Sequence, residues 1–170
     1  GRWLRRCGLS SLVPDLYRGE MTTDADEAGH KMGQLDWPRA LHQDARGATQ
    51  HLAKSGRPVG ILGFCMGGAL TIAAAVHVPE VSAAVCFYGI PPADLADPSQ
   101  IRVPLLAHFA SVDDWCTPEA QDALRAQLDE GGVNYEMHRY EGMQHAFFNE
   151  ARPEVYDAEA AQLAWQRSLD

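Results

Sequence analysis

The sequence predicts an α/β fold, a mostly parallel sheet with helices on both faces, and three features predict it. Short apolar runs alternate with amphipathic stretches along the chain, the pattern of strands joined by helical crossovers. Residues 58–64 (PVGILGF) and 103–109 (VPLLAHF) are apolar nearly throughout, as expected of strands buried on both faces. The run from Met66 to Val76 is apolar almost all round, which suits a central buried helix. With 170 residues, 46% of them hydrophobic and 22% charged, the chain is long enough for a core of its own, and 1–170 reads as a single domain.

Trp3 and Leu4 read as the end of a helix that Cys7 and Gly8 close, and residues 9–14 (LSSLVP) read as a short strand. Residues 15–35, rich in Gly, Asp, Thr and Glu, read as a loop excursion. Trp37, Ala40, Leu41, Ala45, Ala48 and Leu52 recur at steps of three and four, along one face of a helix ending near Ser55 and Gly56. The strand at 58–64 and the helix from Met66 follow, then strands at 81–88 (VSAAVCFY) and 103–109. Thr117, Pro118 and Glu119 supply an N-cap, a first-turn proline and a first-turn acid for a helix that Gly131 and Gly132 close. Residues 134–140 form a last strand, and 153–169 a terminal helix with Val155, Ala158, Ala161 or Leu163, and Trp165 inward.

Composition excludes several functions. Fourteen Lys and Arg against 23 Asp and Glu give a net charge of −9, which repels phosphate backbones and anionic lipid, so neither nucleic acid nor membrane is an expected partner. The longest apolar stretch, residues 69–76, falls far short of the roughly 20 residues that span a bilayer. The first seven residues carry charge with no apolar segment behind them, unlike a secretory signal, so a cytoplasmic protein is expected. Cys7, Cys65, Cys86 and Cys116 are widely spaced and expected to be reduced thiols. The seven histidines form no zinc-binding spacing; no metal and no cofactor are expected.

Three short words carry chemistry. Gly63-Phe64-Cys65-Met66-Gly67-Gly68 places a nucleophile between glycines where a strand runs into a helix, a turn so tight that the glycines relieve clashes on either side. The helix N-terminus favours the Cys65 thiolate, and the Met66 amide is poised to donate to an oxyanion. The bland reading is a small buried cysteine at a tight turn. His108-Phe109-Ala110-Ser111-Val112-Asp113-Asp114-Trp115 puts two carboxylates past a strand end, one of which would be a solvated turn residue. Glu141-Gly142-Met143-Gln144-His145 puts a histidine after the last strand; alone it reads equally well as an exposed loop residue. Nucleophile, acid, histidine is the chain order of α/β-hydrolases.

These words, with Val13-Pro14-Asp15-Leu16-Tyr17, Phe87-Tyr88-Gly89 and His145-Ala146-Phe147, make the chain resemble the dienelactone hydrolases, carboxymethylenebutenolidase-like members of the α/β-hydrolase group. The resemblance runs over essentially the whole chain. It implies Cys65 as nucleophile, His145 as base, Asp113 as orienting acid in preference to Asp114, the Met66 amide in the oxyanion hole, and substrate contacts at Tyr88, Phe147 and Arg18. Two departures matter. Family members begin with further strands carrying a second oxyanion amide and a glutamate that positions the thiol, and nothing here corresponds to them. The sheet is therefore expected to be N-terminally truncated, with strand 9–14 paired directly to 58–64 or a homodimer covering the open edge. Family arginines also hold a substrate carboxylate, one of them four residues beyond the histidine, where this chain has Asn149; dienelactone itself is disfavoured.

The expected function is hydrolysis of a small-molecule ester or lactone through a Cys-His-Asp triad and a thioacyl-enzyme. The alternative is a catalytically impaired remnant serving as a dimeric or binding scaffold. A thiol redox role is disfavoured, because no resolving cysteine adjoins Cys65 in sequence.

Overall fold

A computed structural model describes Leu4 and residues 8–170. It holds four parallel strands in the order β1 (Val59–Phe64), β2 (Val81–Phe87), β3 (Leu105–Val112) and β4 (Tyr135–Gln144). Helix α1 spans Ala25–Gly33. Helix α2 is continuous through Trp37–Arg39, a π-helical segment Ala40–Ala45, and Arg46–Ala53. Helices α3 (Met66–His77), α4 (Pro118–Glu130) and α5 (Ala158–Leu169) follow.

The register explains which helix covers which face. Phe64, Phe87, His108 and His138 are aligned across the four strands, so their side chains share one face. Phe64 stacks on Phe87 at 4.6 Å, Phe87 lies 4.6 Å from His108, and His108 stacks on His138 at 5.7 Å. Helix α5 covers this row. His108 Nε2–H donates to the Ser168 hydroxyl (3.1 Å), which itself donates to the Ala164 carbonyl, while His108 Nδ1 accepts from the Tyr140 hydroxyl (3.0 Å). Burial pushes the His108 imidazole down to about 3, so it stays neutral and fully partnered. The opposite face carries Cys86, Ala107 and Met137, and against it lie α3, whose Gly68 approaches Cys86, and α4, whose Gln121 binds the Ala110 carbonyl and Arg139. A second core of Leu41, Ala45, Leu70, Ala73, Ala74 and Val81 joins α2 to α3.

Several expectations are corrected. The expected helix end at Trp3 and Cys7 lies outside the described residues. Residues 9–14 do not form a strand, and Leu9 (50% exposed) and Val13 (76% exposed) pack into no sheet, so the direct pairing with β1 is not made. Strand β1 is not buried on both faces: it is the edge of the four, Phe64 is 37% exposed, and its open side borders an apolar groove of about 1390 Å³ lined by Leu12, Ile61, Phe64, Phe148 and Trp165 among others. The excursion at 15–35 contains α1, N-capped by the Asp24 carboxylate, which accepts from the Glu27 amide (2.8 Å). In α2 the π-helical turns move the buried positions to steps of four, Leu41, Ala45 and Thr49, so Thr49 takes the place expected for Ala48. Strand β4 runs on to Gln144, and α5 starts only at Ala158, where Asp157 caps it; Ala161 and Ala164 are buried while Leu163 is 46% exposed.

At the β1–α3 junction glycines let backbones approach closely. A Cβ on Gly63 would overlap the Gly67 carbonyl, one on Gly68 would sit 2.6 Å from the Phe87 oxygen, and one on Gly89 would overlap the Ala69 amide and the Cys65 carbonyl. Gly67, expected from the motif spacing to relieve a clash of its own, has open space at that position. Gly89→Ala is therefore expected to destabilise the protein by about 1–3 kcal/mol, from overpacking. Gly67→Ala, inside a helix and unobstructed, is expected to be neutral or to stabilise by up to about 1 kcal/mol. Denaturant melts of the two variants check this, and equal stabilities would contradict the packing account.

Candidate active site

The four strands end in parallel, and the residue immediately after each one belongs to the same site. Cys65 follows β1, Tyr88 follows β2, Asp113 follows β3 and His145 follows β4. Parallel strands bring their carboxyl ends to one edge, which is where open α/β sheets hold ligands.

Cys65 sits at φ 54°, ψ −119°, a sparsely populated conformation for a side-chain-bearing residue, as N-cap of α3. Its amide donates to the Phe87 carbonyl (2.9 Å) and its carbonyl accepts from the Ala69 amide (3.0 Å), which pins the turn on both sides. The sulfur lies 3.2 Å from His145 Nε2. On the other side of the ring, His145 Nδ1–H donates to Asp113 Oδ2 at 2.8 Å. Asp113 Oδ1 is held by the Trp115 and Cys116 amides, both at 2.8 Å, and its side chain is fully buried. Asp114, the neighbouring carboxylate, is exposed.

The electrostatics follow from these contacts. Burial pushes the Cys65 thiol up, but the hydrogen bond and charge of His145 and the Met66 amide outweigh it and leave the thiol below its ordinary range. Burial pushes His145 down, yet Asp113 and Cys65 together raise it to about 9. For Asp113, burial is again opposed, here by His145 and the Cys116 and Trp115 amides, and the carboxyl ends below its usual range. The three groups thus favour a thiolate, an imidazolium and a carboxylate in sequence. Burial drives the other two thiols described the opposite way, Cys116 to about 12 and Cys86 further still, the latter donating its S–H to the Gly89 carbonyl at 3.1 Å.

Of the residues expected at the site, the structure brings together Cys65, Met66, Tyr88, Asp113 and His145. Tyr88, at φ 38°, stands edge-on to the His145 ring at 5.0 Å. Phe147 is fully buried against Tyr88 and Tyr140, so it backs the wall instead of facing a ligand. The Arg18 guanidinium is held by Asp44 at 2.8 Å.

Two residues at the site were not singled out from sequence. Tyr17, on a turn where Asp15 accepts from the Tyr17 and Gly19 amides, donates its hydroxyl to Met66 Sδ at 3.3 Å; burial and the Cys65 charge raise its phenol. The word around Leu16-Tyr17 was the signal that could have found it. Trp115 is 69% exposed, with its indole 6.3 Å from the His145 ring. Among the described residues no group of three or more His, Cys, Asp or Glu could hold a metal ion, and no helix is long and apolar enough to cross a membrane.

Known proteins resemble this chain in sequence and in fold. "Protein usf" of Aquifex pyrophilus is 32% identical over 169 residues, covering 95% of this chain and 73% of that protein. The "Putative carboxymethylenebutenolidase" of Aquifex aeolicus is 31% identical over 170 residues, covering 96% of this chain and 74% of that protein. Among solved structures, a dienelactone hydrolase-like promiscuous phosphotriesterase from metagenomic libraries superposes with a TM-score of 0.80 at 22% identity, over 99% of this chain and 75% of that one, a likeness of fold. The α/β-hydrolase architecture is shared. The model of the dienelactone hydrolase family matches residues 1–170, and the chain belongs to that family.

Proposed function

We propose that the protein hydrolyses a carboxylic ester or lactone through Cys65, His145 and Asp113, with a thioacyl-enzyme intermediate. The single observation that carries this is the unbroken line from sulfur to imidazole to carboxylate, 3.2 Å and 2.8 Å, at the carboxyl edge of the sheet. Family membership supports hydrolysis of ester or lactone bonds. One relative, from Bradyrhizobium, is named as a "Probable 2-oxo-3-(5-oxofuran-2-ylidene)propanoate lactonase" and is 30% identical over 182 residues.

In acylation the Cys65 thiolate attacks the acyl carbon, a C–S bond forms, and the carbonyl electron pair moves onto oxygen, where the Met66 amide donates to it. Collapse expels the alkoxide, which takes the proton from His145 Nε2 as it leaves. In a lactone that oxygen stays tethered to the acyl group. Neutral His145 then removes a proton from water attacking the thioester, the thiolate departs, and the imidazolium is restored. Asp113 stays ionised throughout and holds the ring in the tautomer that presents Nε2 to sulfur.

The scaffold alternative gives no reason for a depressed thiol facing a raised imidazole. A homodimer is a proposal resting on the open edge of β1. Light scattering tests it, a monomer in solution rejecting it.

Cys65→Ala is expected to lower ester hydrolysis by on the order of 10³ or more, as loss of a triad nucleophile does. Cys86→Ala and Cys116→Ala, whose thiols are buried and protonated, should cost less than about tenfold. Equal losses in all three variants would reject Cys65 as a specific nucleophile. The pH profile carries a second expectation. Activity on alkyl esters should fall on the acid side as Cys65 takes up its proton, and on the alkaline side as His145 loses its proton at about 9 and can no longer protonate the leaving group. Because Asp113 raises His145, Asp113→Asn should move the alkaline limb to lower pH. A limb that stays in place would contradict the assignment.

A further inference from the structure

We infer that Trp115 forms the wall against which the alcohol half of the substrate packs, so that the site selects esters of apolar, planar alcohols; this rests on the hydrolase reading of Cys65 and His145. Isolated apolar side chains on a protein surface are common and need no special cause. Trp115 is different because of its neighbours. Its indole is 69% exposed, yet its ring centroid lies 6.3 Å from that of His145 with 37° between the planes. The other neighbour of that imidazole among these aromatic rings is Tyr88, which is buried and stands edge-on at 5.0 Å. The imidazole thus has one buried aromatic neighbour and one exposed one.

The chemistry fixes which half of the substrate meets the exposed one. Nε2 lies 3.2 Å from the attacking sulfur, and the same nitrogen must hand its proton to the leaving oxygen. The leaving oxygen therefore sits beside His145, with the group attached to it extending past the ring that Trp115 flanks. An apolar, planar group there gains offset or edge-to-face contact with the indole and removes exposed aromatic surface from water. Trp115 is also held in place from below. Its amide donates to Asp113 Oδ1 at 2.8 Å, so the backbone that carries the indole is the backbone that anchors the triad acid. Removing the side chain leaves that amide in place, which separates a substrate contact from support of the triad.

The test compares 2-naphthyl acetate with ethyl acetate, which share one acyl-enzyme and differ only in the alcohol. Trp115→Ala should lower the ratio of kcat/KM for the naphthyl ester to that for the ethyl ester about tenfold, the loss of one aromatic contact. Trp115→Phe should restore most of the ratio. Alkylation of Cys65 by iodoacetamide should keep its wild-type rate and pH dependence in both variants. An unchanged ratio, with both esters still hydrolysed, overturns the role of Trp115 and leaves the hydrolase reading standing. A slowed alkylation with equal losses on both esters also overturns it, by showing that the side chain acts through Asp113. If wild-type protein hydrolyses neither ester, the hydrolase reading falls and this inference falls with it.

Discussion

The strand-to-helix turn at Cys65 is the constraint on which the rest of the arrangement depends. Its conformation, φ 54° and ψ −119°, costs on the order of 1–3 kcal/mol for a residue with a side chain, and it persists because the surroundings over-determine it. The Phe87 carbonyl and the Ala69 amide fix the turn's two peptide groups, and Gly63, Gly68 and Gly89 let the backbones of β1, α3 and the end of β2 come closer than any Cβ would allow. Helix α3 supplies what holds the approach together: Ala69, Leu70, Ile72, Ala73 and Ala74 are all buried, each apolar side chain contributing to the core that the turn must not disrupt. Were the helix to retreat by the width of a methyl group, the sulfur would leave the reach of Nε2.

From that fixed point the electrostatics become a matter of strand ends. A buried carboxylate is expensive unless it is compensated. Asp113 is compensated three times over, by two amides of its own loop and by the His145 ring. The imidazole in turn lies between that carboxylate and the sulfur, so the same burial that pushes Cys86 and Cys116 up is overcome at Cys65 alone among the described cysteines. The contrast is internal to one molecule: two buried thiols that burial keeps protonated, and one half-buried thiol that faces the His145 ring. That difference, more than the identity of the residue, marks the site.

Much of this was legible in the sequence. The β2, β3, α3 and α4 segments announced themselves through apolar runs and through the Thr117–Pro118 cap, and Cys65, Asp113 and His145 stood at strand ends in a recognisable order. What was not legible has physical causes. Helix α1 has no apolar stripe, since most of it is exposed, and is held by the Asp24 cap and by Lys31 bridging Glu20 and Glu27, so periodicity was silent there. The phase of α2 shifted because π-helical turns are invisible in the sequence. Residues 9–14 are apolar enough for a strand, but strands form only against a partner, and β1 offers its edge without receiving one from them. Composition likewise could not tell Asp113 from Asp114; the hydrogen bonds of the loop did. Trp115 and Tyr17 lay within words already noticed for other residues, and only three-dimensional neighbours give them meaning.

The claim at the centre is that the acyl group of an ester passes through the sulfur of Cys65. Rapid quenching of the protein during turnover of a slowly deacylating ester, followed by proteolysis and mass measurement of the peptide containing Cys65, tests it most directly. The account predicts that this peptide gains the mass of the acyl group, and that neutral hydroxylamine removes it. Hydrolysis that proceeds at the same rate with the acyl group on no residue, or on a residue other than Cys65, would contradict it.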